Sequence, residues 1–305
     1  MYNIVLSLKE VIIIKRYLFL SIYLICLITF TIYFFLDTLV ISSVYEVIED
    51  TTSDKEEIST GKVETNSNSY SDDNITINIK EYYEYDTKIY VCDIEVKDVS
   101  LLNRAFASNT YGKNVVSKTS TMASEVGAIL AINGDYYGVR QKGYVIKDGV
   151  VYRNTPNSNQ EDLVIYKDGS MEIINESDVS AEELISKGAK DVFSFGPGLV
   201  DDNKVIVSEG EEVGKAMASN PRTAIGYIDK GHYVFVVSDG RTSESEGLSL
   251  YELATFMKSI GVSKAYNLDG GGSSTLVFNG NIINNPTTNG RISERSVSDI
   301  VYVGY

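Results

Sequence analysis

The longest feature in the hydropathy pattern is YLFLSIYLICLITFTIYFFL, residues 17–36, twenty positions without a charge. Wound as an α-helix it spans about 30 Å, the thickness of a bilayer's hydrocarbon core. A transmembrane helix is therefore predicted over 17–36. Lys15 and Arg16 precede it, and Asp37, Glu46, Glu49 and Asp50 follow. That asymmetry predicts residues 1–16 on the cytoplasmic side of a cell membrane and the rest of a single-pass chain outside it. The run exceeds a typical signal-peptide core and no A-x-A site follows, which favours a signal anchor. Val40-Ile41-Ser42 leaves cleavage after export as the alternative.

Residues 37–74 lose all apolar periodicity. The stretch EVIEDTTSDKEEISTGKVETNSNSYSDDN is acidic and rich in Ser, Thr and Asn, so a disordered extracytoplasmic linker is expected there. From 75 to 305 the pattern becomes short alternating strands with a few helices, long enough for one large domain. ITINIKEYY and KIYVCDIEV flank YDTK as a hairpin, and GYVIKDGVVYR and DLVIYKDGSMEII each turn at Lys-Asp-Gly. Helices are predicted at 117–127, at SAEELISKG and at 249–261, with strands at 128–133, RTAIGYI, YVFVVSDG, SKAYNLDG, STLVFNG and SDIVYVGY. No steady strand–helix alternation runs through them. The predicted class is α+β, a mixed β-sheet domain with a few helices behind the transmembrane helix and linker.

Composition narrows the chemistry. With one His and two Cys, the chain has too few ligands for a His-rich metal site, a zinc ribbon or an iron–sulfur cluster. The net charge is −15, distributed as +2 over residues 1–36 and −17 over the remainder, which argues against a nucleic-acid partner. Cys26 lies in the membrane run and Cys92 stands alone beyond it, so Cys92 is read as a small buried apolar residue in a strand. His232 falls in a DKGH turn and is read as exposed, not as a catalytic base. Catalysis would then rely on carboxylates, hydroxyls, amides and arginines. Export without disulfides fits a bacterial cell-surface protein.

Four strand ends combine small or amide residues with charge: Asn133-Gly134-Asp135-Tyr136-Tyr137-Gly138, Asn220-Pro221-Arg222-Thr223-Ala224, Ser238-Asp239-Gly240-Arg241 and Asn267-Leu268-Asp269-Gly270-Gly271-Gly272-Ser273-Ser274. Asp135 and Asp239 beside Gly are equally good turn formers. Three consecutive glycines between apolar strands weaken both, which predicts a steric demand. The loop lacks the Gly-Lys-Ser/Thr of a phosphate-binding P-loop. Arg222 and Arg241 lie at the same end of a predicted hairpin, either as a built anion site or as partners of surface acids. Asp135, Asp239 and Asp269 with amide oxygens would suit calcium or magnesium, although no spacing demands it and no metal ligand set is assigned.

Taken in order, AINGDYYG, FSFGPGLV, NPRTAIGY, VVSDGR, SLYELATFMKSIG, AYNLDGGGSSTLV and ERSVSDIVYV resemble the phosphodiester glycosidase family, which includes animal uncovering enzymes and bacterial proteins labelled exopolysaccharide biosynthesis proteins. The resemblance covers about residues 75–305. It implicates Asn133, Gly134, Asp135, Arg222, Asp239, Arg241, Asp269, Gly270, Gly271, Ser273 and Arg295. Tyr136, Tyr137 and Ser296 stand where the family often has Phe, Phe and Pro. The implied reaction is hydrolysis of a sugar-1-phosphodiester at the anomeric C–O bond in a phosphate-bearing glycan. Asp269, Asp135 and Asp239 are then the candidate catalytic carboxylates. Arg222, Arg241 and Arg295 would bind phosphate, and Asn133 and Ser273 the sugar, beside Gly134, Gly270 and Gly271. A non-catalytic glycan-binding module and a transferase in exopolysaccharide assembly are the alternatives. The oligomeric state is not legible.

Overall fold

A computed structural model describes residues 8–48, 60–213 and 219–305. The chain divides into two compact units, Met1–Ser43 and Val44–Tyr305. In the first, Leu8–Leu39 is a single helix. Its segment Ile12–Leu39 has a mean hydropathy of 2.3 and no buried residue, so length and composition suffice to cross a membrane.

In the second unit the predicted α+β class is observed, with three principal sheets whose neighbouring strands pair antiparallel. The nine-stranded sheet runs, in spatial order, Lys204–Val205, Gly198–Asp201, Lys264–Asn267, Thr223–Asp229, His232–Ser238, Thr87–Val96, Ile75–Glu84, Ser69–Ser71 and Glu64–Thr65. A five-stranded sheet is built from Asn281–Ile282, Leu276–Phe278, Leu130–Asn133, Asp299–Val303 and Leu102–Phe106. A second one comprises Val150–Arg153, Val145–Lys147, Ala189–Phe193, Glu161–Tyr166 and Met171–Asn175.

The three sheets share one core. Ile77, Tyr90, Cys92 and Phe235 of the large sheet pack with Leu130, Ile132, Leu276 and Val301 of one smaller sheet and with Leu163, Ile165 and Phe193 of the other. Because side chains alternate across a strand, the opposite faces carry separate clusters. Ala131, Val277 and Ile300 back onto Met122 and Ala123 of helix Thr119–Glu125. Ile146, Val164 and Val192 back onto Leu184 of helix Ala181–Ser186, and Val91, Val234 and Val236 onto Leu253 and Met257 of helix Leu250–Ser259. Ser180 with Glu183 and Ser249 with Glu252 form the capping boxes that start the latter two helices. Cys92 is buried as expected, and burial pushes its thiol pKa up.

Two local readings need correction. The hairpin after Glu84 turns at Tyr85 and Asp86, both at positive φ, so it closes one residue earlier than YDTK suggested. His232 is not a free turn residue: it opens its strand, is half-buried, and its Nε2 lies 2.6 Å from Asp93 Oδ1 on the neighbouring strand.

The segment expected to be a linker is in part strand. Ser43–Val47, Glu64–Thr65 and Ser69–Ser71 are extended, and Tyr70 is buried in the core. Its polar residues satisfy backbone locally: Asn66 Oδ1 accepts from the N–H groups of Asn68 and Ser69, and Asp72 Oδ1 from those of Asn74 and Ile75. Asx-turn chemistry thus has the same composition as disorder. Residues 49–59 of that segment lie outside the described residues.

Candidate functional site

Three strands of the large sheet deliver their loops to one end. Thr223–Asp229 starts just after Asn220-Pro221-Arg222, His232–Ser238 ends at Asp239-Gly240-Arg241, and Lys264–Asn267 ends at Leu268-Asp269. Leu130–Asn133 of the neighbouring sheet brings Gly134 against Asp269, whose N–H donates to the Gly134 carbonyl at 3.2 Å.

The glycine run explains itself in this packing. A Cβ on Gly270 would lie 2.9 Å from the Pro221 carbonyl oxygen, one on Gly272 2.4 Å from Thr288 Oγ1, and one on Gly271 2.9 Å from Arg241 Nη2. Gly271 also sits at φ +62 and donates its N–H to the Pro221 carbonyl at 2.8 Å. The loop is thereby pressed between the strand ends that carry Arg222 and Arg241.

Asp269 is nearly buried. Its Oδ2 accepts from Ser273 Oγ at 2.5 Å and from Arg295 Nη2 at 3.0 Å, and its Oδ1 accepts from the Gly270 N–H at 2.9 Å. Burial raises its pKa, a shift opposed by Arg295 and these hydrogen bonds. Arg295 also donates to Ser273 Oγ through Nε at 2.8 Å and to the Gly270 carbonyl at 3.2 Å, while its side chain stays 44% exposed.

Arg222, 3% exposed, donates through Nε to the Leu248 carbonyl at 2.7 Å and pairs through Nη2 with Glu212 Oε2 at 2.5 Å. Burial lowers its pKa; Glu212 opposes that and Arg241 reinforces it. Arg241, exposed and at φ +62, is held by Asn220 Oδ1, which accepts from Nε at 3.1 Å and Nη2 at 2.7 Å. The guanidinium groups of Arg241 and Arg295 thus lie at one loop, 269–273, that carries one carboxylate, while Arg222 lies against Gly270 through its aliphatic stem. The expected proximity of Arg222 and Arg241 across their hairpin is present.

The other expected residues have different occupations. Asp135 is 1% exposed, its Oδ2 accepting from Arg104 Nη2 at 3.1 Å and from the Ser194 N–H at 3.2 Å, and its Oδ1 from the Tyr137 N–H at 2.6 Å. Arg104 donates onward through Nε to Asp299 Oδ2 at 2.7 Å and through Nη1 to the Val192 carbonyl at 2.6 Å, so Asp135 belongs to a buried network joining the two smaller sheets. Asp239 holds a loop: its Oδ1 accepts from the Asn285 N–H at 2.7 Å and its Oδ2 from Tyr90 Oη at 3.3 Å.

Asn133 is fully buried between loops. Its Nδ2 donates to the Asp269 carbonyl at 2.6 Å, and its Oδ1 accepts from Thr223 Oγ1 at 2.8 Å and the Thr275 N–H at 3.2 Å. It positions Asp269 rather than facing a ligand. Gly134 is a close-approach glycine, since a Cβ there would meet the Asp299 carboxylate at 2.5 Å. The three aspartates considered for calcium or magnesium do not converge: each carboxylate is engaged in its own network. Among the described residues no group of three or more His, Cys, Asp or Glu is arranged to hold a metal ion.

Arg104, Asp299 and Glu212 escaped the sequence reading of the site. Arg104 sits in the strand LNRAF with partners 31 and 195 residues away, and Glu212 in the acidic run SEGEEVG.

Comparison with known proteins gives the family and the fold. The sequence profile of the phosphodiester glycosidase family matches residues 126–304. An uncharacterized SPbeta prophage-derived protein, YomE, of Bacillus subtilis (strain 168) is 33% identical over 242 residues, covering 74% of this chain and 36% of its own length. The N-acetylglucosamine-1-phosphodiester alpha-N-acetylglucosaminidase of Mus musculus is 28% identical over 182 residues, 54% of this chain and 34% of that protein. The chain spans about a third of the length of these curated relatives. Among solved structures, the zebrafish N-acetylglucosamine-1-phosphodiester alpha-N-acetylglucosaminidase catalytic domain, auto-inhibited by its pro-peptide, superposes with a TM-score of 0.61 at 19% identity, covering 87% of this chain and 88% of that one. A Synechocystis protein superposes with a TM-score of 0.53 at 16% identity over 75% and 62% of the two chains. Both likenesses bear on the fold. By its sequence match over 126–304, the chain belongs to the phosphodiester glycosidase family.

Proposed function

We propose that this protein is a hydrolase of sugar-1-phosphodiesters in cell-surface or extracellular glycans, cleaving the anomeric C–O bond to release a free sugar and a phosphomonoester. The observation that carries the reading is the set of three arginines, Arg222, Arg241 and Arg295, whose side chains lie against the loop that carries Asp269. In a chain whose residues 37–305 carry a net −17, a cluster of arginines, one of them buried, suits a bound phosphate. A phosphomonoester leaves readily, so the reaction needs little help from a general acid. What it needs is charge stabilisation at the anomeric carbon and a held phosphate.

Asp269 takes the first task. Ser273, Arg295 and the Gly270 N–H fix its carboxylate, and Asn133 fixes its backbone. The three arginines take the second. The relatives named N-acetylglucosamine-1-phosphodiester alpha-N-acetylglucosaminidase support an N-acetylglucosaminyl donor. The apolar helix supports a signal anchor that leaves the domain extracytoplasmic and attached to the membrane.

The test is product analysis with the full chain in detergent and an α-N-acetylglucosaminyl phosphodiester. Free reducing sugar with an equal amount of phosphomonoester supports hydrolysis. A new glycan linkage would establish transfer, and binding without product would establish a non-catalytic module; either overturns the reading.

A further inference from the structure

Glycoside hydrolysis canonically uses a pair of carboxyl groups, and in the inverting geometry one of them is the base that activates water. Asp135 and Asp239 are both spent on buried networks, which leaves Asp269 without an evident partner among the residues the motifs suggest. Glu212 stands on the other side of Arg222. Its Oε2 is 2.5 Å from Arg222 Nη2, and its Oε1 accepts from the Leu250 N–H at 3.4 Å. Arg222 in turn lies against the glycine loop, its Cδ 4.0 Å from where a Cβ on Gly270 would be, and the Gly270 N–H holds Asp269. Glu212 is therefore held by the arginine whose side chain lies against the loop that carries Asp269.

Glu212 is also open to a ligand in a way that the buried aspartates are not. It lines a cleft of about 310 Å³ whose walls include Gln160, Phe195, Gly196 and Pro197. An apolar ring beside polar side chains is the kind of lining small-molecule sites use, and here Gln160 Nε2 is fixed on the Glu161 and Phe195 carbonyls. Arg140 backs Phe195, its Cζ 5.0 Å from the ring centroid.

We propose that Glu212 is the second catalytic carboxylate, acting as the base for water while the sugar occupies the adjoining cleft; this rests on the hydrolase reading above. In the step, Glu212 removes a proton from water as the water oxygen bonds to the anomeric carbon. The bond from that carbon to the phosphate oxygen breaks, its electron pair leaves on the phosphomonoester held by the arginines, and Glu212 returns the proton to solvent. Arg222 thus has two duties, holding the phosphate and orienting the base.

The experiment compares the wild-type chain, Glu212→Gln, Glu212→Ala and Glu212→Asp, all full length in detergent, on an α-N-acetylglucosaminyl phosphodiester with and without sodium azide. The expected result is a fall in kcat of about 10²–10⁴-fold for Glu212→Gln with Tm and KM nearly unchanged, and partial activity in Glu212→Asp. Azide needs no deprotonation, so it should restore phosphomonoester release in Glu212→Ala and yield a glycosyl azide. A folded Glu212→Gln with wild-type kcat, or one whose KM alone rises, shows a mere partner of Arg222 and overturns the proposal. Variants that all melt early and gain nothing from azide also overturn it. A wild-type chain that hydrolyses no sugar-1-phosphodiester removes the hydrolase reading itself, and a distinct result separates the two failures.

Discussion

Gly271→Ala tests whether the glycine run exists to seat Arg241. Gly271 has φ +62, a conformation that costs an L-residue about 1–2 kcal/mol. Beyond that, its Cβ would lie 2.9 Å from Arg241 Nη2 and 3.3 Å from Cζ, so the guanidinium has to move. Moving it breaks the two bonds to Asn220 Oδ1, and hydrogen bonds to a charged group contribute about 1.5–3 kcal/mol each when well formed. Gly280 is the matched control, with φ +76 and nothing within 4 Å of its would-be Cβ. Gly280→Ala should lose only the conformational part, a Tm shift of about 2–4 °C per kcal/mol for a domain of this size. Gly271→Ala should lose more in Tm and about 10–100-fold in kcat/KM toward a sugar-1-phosphodiester, as expected when a binding group is displaced. Thermal melts and steady-state kinetics on both variants decide the matter. Equal melts and equal kcat/KM for the two would refute the steric role of the loop.

Two further outcomes probe the scaffold beneath the site. Arg104→Met leaves Asp135 and Asp299 buried without their cation and should destabilise the chain by about 3–5 kcal/mol in urea melts; a loss below about 1 kcal/mol would show that the network is not holding the sheets. Ser194 Oγ has one proton but lies within hydrogen-bond distance of three acceptors, the Tyr144 carbonyl, Asp162 Oδ1 and Glu176 Oε1, so one carboxyl must carry a proton to donate. Burial, then the charge of Glu176, raises the Asp162 pKa well above its usual value. The stability this contributes is full below about pH 3.9, the unfolded value, and is lost as pH rises through the folded one. Asp162→Asn should remove that slope from the urea midpoint measured between about pH 4 and about pH 8. Parallel wild-type and variant curves would contradict the shared proton.

Much of this was legible in the sequence because the signals are local. Lys-Asp-Gly turns, the helix at SAEELISKG and alternating strands depend on neighbours a few positions apart, and they appear as predicted. The steric role of Gly270, Gly271 and Gly272 was legible for the same reason, since three glycines in a row weaken the flanking strands unless close packing requires them. What was not legible depends on distant partners. An Asp beside Gly at a strand end has one composition whether it pairs with a half-exposed arginine, as Asp269 does, or ties a buried network, as Asp135 does. Arg104 reads as a polar interruption in an apolar strand until its partners from two other strands are in place. The turn-rich residues 60–74 show a similar ambiguity between local Asx hydrogen bonds and disorder.

Everything proposed for the reaction turns on the carboxylate inside the arginine cluster. Its role is read most directly from kcat/KM of Asp269→Asn on an α-N-acetylglucosaminyl phosphodiester, with Tm recorded on the same sample. The expected outcome is a folded variant that has lost about 10²–10⁴-fold in kcat/KM. A folded Asp269→Asn that turns over like the wild type would contradict a catalytic Asp269.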